Sequence, residues 1–144
     1  MTIPSFSDQV PDGIMTLRVF LVEDNQLIRE NVAAALEELA PVQVVGFADD
    51  ASSATNWIAA HPNGADLLVI DMFLKRGSGI DVLRATSTLT KARKVVLSNY
   101  ATTDMRRKCL ELGADQVFDK SNEIEAFVEY CVRLASGGVG AADS

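Results

Sequence analysis

The sequence is poor in the residues that staple or anchor a chain. Its 144 residues include two cysteines, one histidine, one tryptophan and four prolines. Both cysteines, Cys109 and Cys131, fall where a helix would turn its apolar side inward, so they are expected as reduced core thiols and not as a disulfide. His61 precedes Pro62 in a polar loop, which makes it a surface residue rather than a metal ligand or phosphohistidine donor. Long hydrophobic runs are missing too. Nothing approaches the roughly 18 apolar residues of a membrane helix, and the pure run near the start is only Val19–Val22. Positive charge is in short supply, with 13 Lys+Arg against 20 Asp+Glu and a net of −7. That is the wrong sign for a protein that grips phosphate backbones, so no direct nucleic-acid binding is expected. No glycine-rich loop follows the first apolar run and no Walker lysine is present, so P-loop chemistry is excluded.

The first fourteen residues mix Pro4, Ser5, Ser7, Pro11 and Gly13 without a basic residue, and so lack the basic and apolar regions of a signal peptide. They are expected to form a flexible leader over 1–14, with Met15 a candidate internal start, and the location is expected to be cytoplasmic. Residues 15–136 are expected to make one domain. The small, polar stretch 137–144, with Gly137, Gly138 and Gly140, reads as a flexible tail.

What is present is an ordinary globular composition, 48% hydrophobic and 23% charged. From Leu17 onward, short runs rich in Val, Leu and Ile alternate with longer segments of helical spacing. The strand candidates are Leu17–Val22, Val42–Phe47, Leu67–Ile70, Lys94–Leu97 and Gln116–Phe118. The first, third and fourth are nearly all apolar, as strands covered on both faces are. Between them, Ile28, Val32, Leu36 and Leu39 line one side of a helix whose other side carries Arg29, Glu30, Glu37 and Glu38. Ala54, Trp57 and Ile58 mark a second helix, and the stretch Ile80 to Leu89 a third. Met105, Cys109 and Leu112 mark a fourth, stopped by Gly113, and Ile124, Phe127, Val128, Cys131 and Leu134 a fifth. Five such units with right-handed crossovers predict an α/β fold: a flavodoxin-like, doubly wound (βα)5 parallel sheet of strand order 2-1-3-4-5.

In that order the strand sequence reverses between the first and third strands, and ligands of open α/β sheets sit outside the carboxyl ends at such a point. The first strand runs into Glu23 and Asp24 and the third into Asp71, so three carboxylates are expected to converge. The fourth strand ends at Ser98 and the fifth leads into Lys120. Two carboxylates 4 Å apart repel by about 1 kcal/mol in bulk water and about 4 at an effective dielectric of 20. Either a proton or a hard divalent cation must offset this, and an all-oxygen set suits Mg²⁺ or Mn²⁺. With a cation present, an incoming phosphoryl group is shared between it and Lys120, Asp71 is the natural nucleophile, and Ser98 is placed to bond a phosphoryl oxygen.

These residues resemble the receiver domains of bacterial two-component response regulators, the CheY-like proteins. The resemblance covers Leu17 to about Ser136 and rests on Val-Glu23-Asp24-Asn, Leu-Val-Ile-Asp71, Val-Val-Leu-Ser98 and Phe-Asp-Lys120-Ser in that order. It implies Mg²⁺-dependent transfer of a phosphoryl group from a histidine kinase or histidine phosphotransfer protein to Asp71, then slow hydrolysis. The chain would assist its own phosphorylation and dephosphorylation without being a turnover enzyme. It also implies a backbone carbonyl of Phe73 among the metal ligands, and motion of Ser98 toward the phosphoryl group. That motion would rearrange the face made by helix four, strand five and helix five, the surface for a downstream protein target or a homodimer. Phe73 and Tyr100 take the two family positions that flank the path of attacking water. Two positions depart from the pattern: Val117 stands where the family usually has Tyr or Phe, with Phe118 expected on the opposite face, and Lys75 stands where it often has Pro.

Blander readings exist for each of these residues except Glu23. Asp24 or Asn25 caps a helix, Asp71 sits in a turn, Ser98 bonds to backbone, and Lys120 is solvated before a helix capped by Ser121 or Asn122. Gly77-Ser78-Gly79 reads as a turn before the third helix and Trp57 as packing. Phosphatases of the haloacid dehalogenase type need a second Asp where Phe73 stands, and a flavin phosphate would be repelled by Glu23 and Asp24. The remaining alternative is a receiver-like interaction module that works without phosphorylation. The expectation is therefore a stand-alone receiver that switches protein–protein interactions.

Overall fold

A computed structural model describes residues 16–99 and 101–137. Five strands, β1 (Leu17–Val22), β2 (Val42–Ala48), β3 (Leu67–Asp71), β4 (Arg93–Ser98) and β5 (Gln116–Asp119), alternate with α1 (Gln26–Leu39), α2 (Ala51–Ala60), α3 (Gly79–Thr86), α4 (Thr103–Glu111) and α5 (Ile124–Ala135). The strands form one sheet in the order β2-β1-β3-β4-β5, and every pairing is parallel. The flavodoxin-like α/β topology read from the sequence is the one observed.

Alternation along the strands sends side chains to two separate cores. Leu17, Val19 and Leu21 face a layer completed by Leu36 of α1 and by Phe127, Tyr130 and Cys131 of α5. Phe20 and Val22 face the other layer, with Ala54 and Ile58 of α2, Val82 and Leu83 of α3 and Cys109 of α4. Each fully buried Leu, Ile or Phe contributes about 1.5–3 kcal/mol. Cys109 and Cys131 are free and buried in opposite layers, so the sheet itself keeps them apart. Phe118 packs on Phe127 and Tyr130 while Val117 faces the other layer, as their adjacency requires.

Local chemistry sets the helix ends. Asn25 accepts from the amide of Ile28, Asp50 from that of Ser53 and Thr102 from that of Met105. Ser78 and Asp81 cap α3 reciprocally. Gly113 takes φ 107° just past α4, a conformation that disfavours a side chain.

Several expectations need correction. Strands β2, β3, β4 and β5 each reach one residue further at the carboxyl end, so that Asp71 and Ser98 lie inside their strands. Only Leu36 of the predicted α1 stripe is fully buried. Leu39 is 59% exposed because it stands at the end of α1, where the described residues leave its side chain uncovered, and Ile28 and Ile124 are exposed at the opening turns of α1 and α5. The third helix stops at Thr86, whose buried hydroxyl bonds back to the carbonyl of Val82, and residues 87–89 form a turn. Neither Ser121 nor Asn122 caps α5; the position belongs to Glu123, which makes no side-chain cap bond to α5.

Candidate functional site

The parallel register carries the ends of the central strands to one rim. Val22 pairs with Ile70 and Asp71 with Leu97, so Glu23, Asp71 and Ser98 leave the sheet side by side. One carboxylate oxygen each from Glu23, Asp24 and Asp71 lies within 4.8 Å of the others. Glu23, Asp71 and Ser98 are buried, and Asp24 is half-buried. β5 delivers the countercharge. Lys120 donates its backbone amide to the carbonyl of Ser98 at 2.8 Å, and its Nζ lies 3.0 Å from Glu23 Oε1 and 3.1 Å from Asp71 Oδ1.

Three carboxylates facing one ammonium leave two negative charges in a half-dry space. Burial is the largest influence on Asp71 and raises its pKa; Lys120 pulls it down, Glu23 pushes it up, and the net position is about 6. Burial works against the charge on Lys120, but Asp71 and Glu23 outweigh it and hold the ammonium above its ordinary pKa. A hard dication fits the donor set: all-oxygen ligands, anionic, with a residual charge that matches its own.

The loop after β3 begins at Met72, and Phe73, 64% exposed, bridges to Ser78. The loop is braced from α2, since the amide of Ala51 donates to the carbonyl of Arg76. Lys75 is exposed and lies with Asp24 and Leu27 along a neighbouring depression. Tyr100 lies outside the described residues. His61 is exposed, its ring stacked on Trp57, which in turn stacks on Phe20.

Two arginines belong to the site's surroundings although the sequence pattern put them with the solvated charges or passed over them. Arg29 is half-buried; its Nη1 donates to the carbonyl of Glu23 at 2.9 Å while its guanidinium lies 3.9 Å above the ring of Phe47. It thereby fixes the backbone that carries the acidic pair. Arg106 of α4 bonds to the β4–α4 loop, to β5 and to Glu123. Apolar spacing cannot reveal either one, because most of their acceptors are backbone carbonyls.

The sheet order, the acidic ends of β1 and β3 and the lysine after β5 together define a doubly wound α/β protein with a charged site at its strand-order reversal. The family model of the response regulator receiver domain matches residues 19–131, and the chain belongs to that family, the receiver domains of two-component signalling. Response regulator UvrY of Escherichia coli O6:H1 is 27% identical over 122 residues, 84% of this chain and 55% of UvrY. The chain spans about half the length of the curated relatives it matches. Among solved structures, the receiver domain of the putative response regulator NarL from Mycobacterium tuberculosis shares 28% identity with a TM-score of 0.74, covering 85% of this chain and 98% of that one. The complex of the CheA3 P1 domain with CheY6 from R. sphaeroides contains a chain 25% identical with a TM-score of 0.67, covering 81% of this chain and 97% of that one. Among the described residues no helix is long and apolar enough to cross a membrane.

Proposed function

We propose that Asp71 is the phosphoacceptor of a receiver that takes its phosphoryl group from the phosphohistidine of a histidine kinase or histidine phosphotransfer protein. The observation that carries this reading is the meeting of Glu23, Asp24 and Asp71 within 4.8 Å, with Lys120 against two of them. With Asp71 near 6, its carboxylate is mostly ionised at neutral pH and available as a nucleophile. One oxygen attacks phosphorus in line, an O–P bond forms, the N–P bond to the donor imidazole breaks, and its electron pair stays on nitrogen. Lys120 offsets charge on the transferred group, and Ser98, beside Asp71 on β4, donates its hydroxyl to a phosphoryl oxygen.

Glu23, Asp24 and Asp71 would hold Mg²⁺, or Mn²⁺, together with the backbone carbonyl of Phe73. The cation supplies neutralisation of charge that the single lysine leaves uncompensated. Hydrolysis of the acyl phosphate, assisted by the same residues, returns the receiver to rest. The solved pairing of CheY6 with the P1 domain of CheA3 supports a separate protein domain as a partner for this chain.

The output of this reading is a phosphorylation-dependent protein contact through α4, β5 and α5, with a downstream protein or a second copy, in the cytoplasm and without direct contact to nucleic acid. The receiver unit of this reading runs over 15–136; the leader expected over 1–14 and all but the first residue of the tail expected over 137–144 lie outside the described residues. Incubation with Mg²⁺ and acetyl phosphate, read by intact mass, tests it. Wild-type protein is expected to gain one phosphoryl group and Asp71→Asn none; equal gain in both, or none in either, overturns the assignment.

A further inference from the structure

We infer that Arg106 is a positioning residue that couples the β4–α4 loop to β5 and the start of α5, so that displacement at the Ser98 side of the site reaches α5 through one guanidinium. The inference rests on the phosphoacceptor reading and deepens it.

The guanidinium bonds three separate pieces of chain. Nε donates to the carbonyl of Ala101 at 3.1 Å, Nη1 to the carbonyl of Val117 at 3.0 Å and Nη2 to Glu123 Oε1 at 2.6 Å. The same Glu123 oxygen accepts the amide of Asp119 at 2.9 Å. Asp119 in turn accepts the amides of Ser121 at 2.7 Å and Ala101 at 3.4 Å. A closed ring of contacts thus runs from Ala101 through Arg106, Glu123 and Asp119 back to Ala101. Two members of the ring adjoin the site: Ala101 lies in the loop that follows Ser98, and Asp119 precedes Lys120, whose Nζ sits between Glu23 and Asp71.

Geometry makes the ring a transmitter rather than a cushion. Guanidinium donors lie in one rigid plane, and hydrogen bonds weaken steeply with lost alignment, so three acceptors can be served together only in one relative arrangement. Val117 and Glu123 flank Asp119 on one continuous stretch of chain, whereas Ala101 stands on the loop. If the loop moves toward the site, Arg106 either loses Ala101 or follows it and pulls away from Glu123. Both results change the hold on the opening turn of α5, which has no side-chain cap of its own. Among the described residues Val117 does not take over this part: it is buried and β-branched, stiff at χ1, and too small to carry motion by rotation. Arg106 and Glu123 are 33% and 37% exposed, so their pairing is open to a docking partner as well as to the loop.

The test compares wild type with Arg106→Met and Glu123→Gln before and after treatment with Mg²⁺ and acetyl phosphate, reading intact mass and backbone hydrogen exchange. In wild type, exchange is expected to change in both 99–105 and 119–127. Arg106→Met is expected to take up the phosphoryl group to the same extent and keep the change at 99–105. Its change at 119–127 should shrink about fivefold or more, the low end of ordinary coupling between sites. If Arg106→Met is too unstable to study, Glu123→Gln keeps the shape and one acceptor oxygen but weakens both of its bonds by removing the charge, and should show the same uncoupling in smaller measure. A purely structural clamp would lower stability yet leave the response of 119–127 to phosphorylation intact, and that result overturns the proposal while the phosphoacceptor reading stands. Absence of phosphoryl uptake by wild type overturns both, and the mass spectrum tells the two failures apart.

Discussion

Lys120 and Glu23 are separated by 97 positions in the chain and by 3.0 Å in space. The ammonium that bridges Glu23 also meets Asp71, so β5 contributes the charge that lets β1 and β3 end in buried acids side by side. Removing one partner of such a group leaves a buried charge uncompensated, commonly at a cost of about 3–5 kcal/mol when burial is complete. The partial exposure of this rim reduces that figure.

Stability should therefore depend on pH through Asp71. Its folded pKa of about 6 stands above the ordinary 3.8, chiefly through burial. The folded protein binds this proton more tightly than the unfolded chain, so the contribution is fully present below the ordinary value and is lost as pH rises through about 6. Between pH 4 and pH 7 the urea midpoint of wild type is expected to fall relative to that of Asp71→Asn. Parallel curves for the two proteins would remove Asp71 as the cause.

A divalent cation should reverse that loss. Mg²⁺ favours the ionised carboxylates, and at 100 times its dissociation constant a ligand stabilises by about 2.7 kcal/mol. Thermal unfolding at pH 7.5 is expected to move upward with Mg²⁺ in wild type and much less in Glu23→Gln or Asp24→Asn, with affinity by calorimetry down about tenfold, equivalent to about 1.4 kcal/mol. An equal upward shift in all three would place the cation elsewhere.

Gly79 should tolerate no side chain. A Cβ there would stand 2.8 Å from the carbonyl oxygen of Asp71 and 3.0 Å from the Cα of Met72, both backbone atoms with no freedom to swing aside. Gly79→Ala is expected to destabilise by about 1–3 kcal/mol, the ordinary range for overpacking, and to slow phosphoryl uptake by displacing the acceptor strand. Unchanged denaturation midpoints would show that α3 can shift at no cost.

The lifetime of the acyl phosphate should depend on bulk beside it. Phe73, two residues after Asp71, is largely exposed, and Tyr100 holds the second shielding position expected from the sequence. Replacing both with small polar residues is expected to speed loss of the phosphoryl group, followed by mass against time. Identical decay curves would sink the shielding idea.

The strands were legible because each carries an apolar run, and β1, β3 and β4 are nearly continuous where both faces are covered. The site carboxylates were legible for a related reason: Glu23 and Asp71 are polar residues standing at the ends of such runs, where a sheet must meet water or a ligand. Helix stripes were less faithful. Leu39 and Ile124 satisfy the spacing, yet they lie exposed at helix ends, where the described residues leave their side chains uncovered.

The order of residue types along the chain settled the alternation of strands and helices and the polar endings of the strands, because periodicity and local capping act over a few residues. Only the folded molecule decided that Lys120 bridges Glu23 and Asp71, that Arg29 grips the carbonyl of Glu23, and that Arg106 joins Ala101, Val117 and Glu123. Most acceptors of those arginines are peptide carbonyls, which every residue carries and no side-chain pattern can mark. Their partnership depends on how strands far apart in sequence come to lie in register.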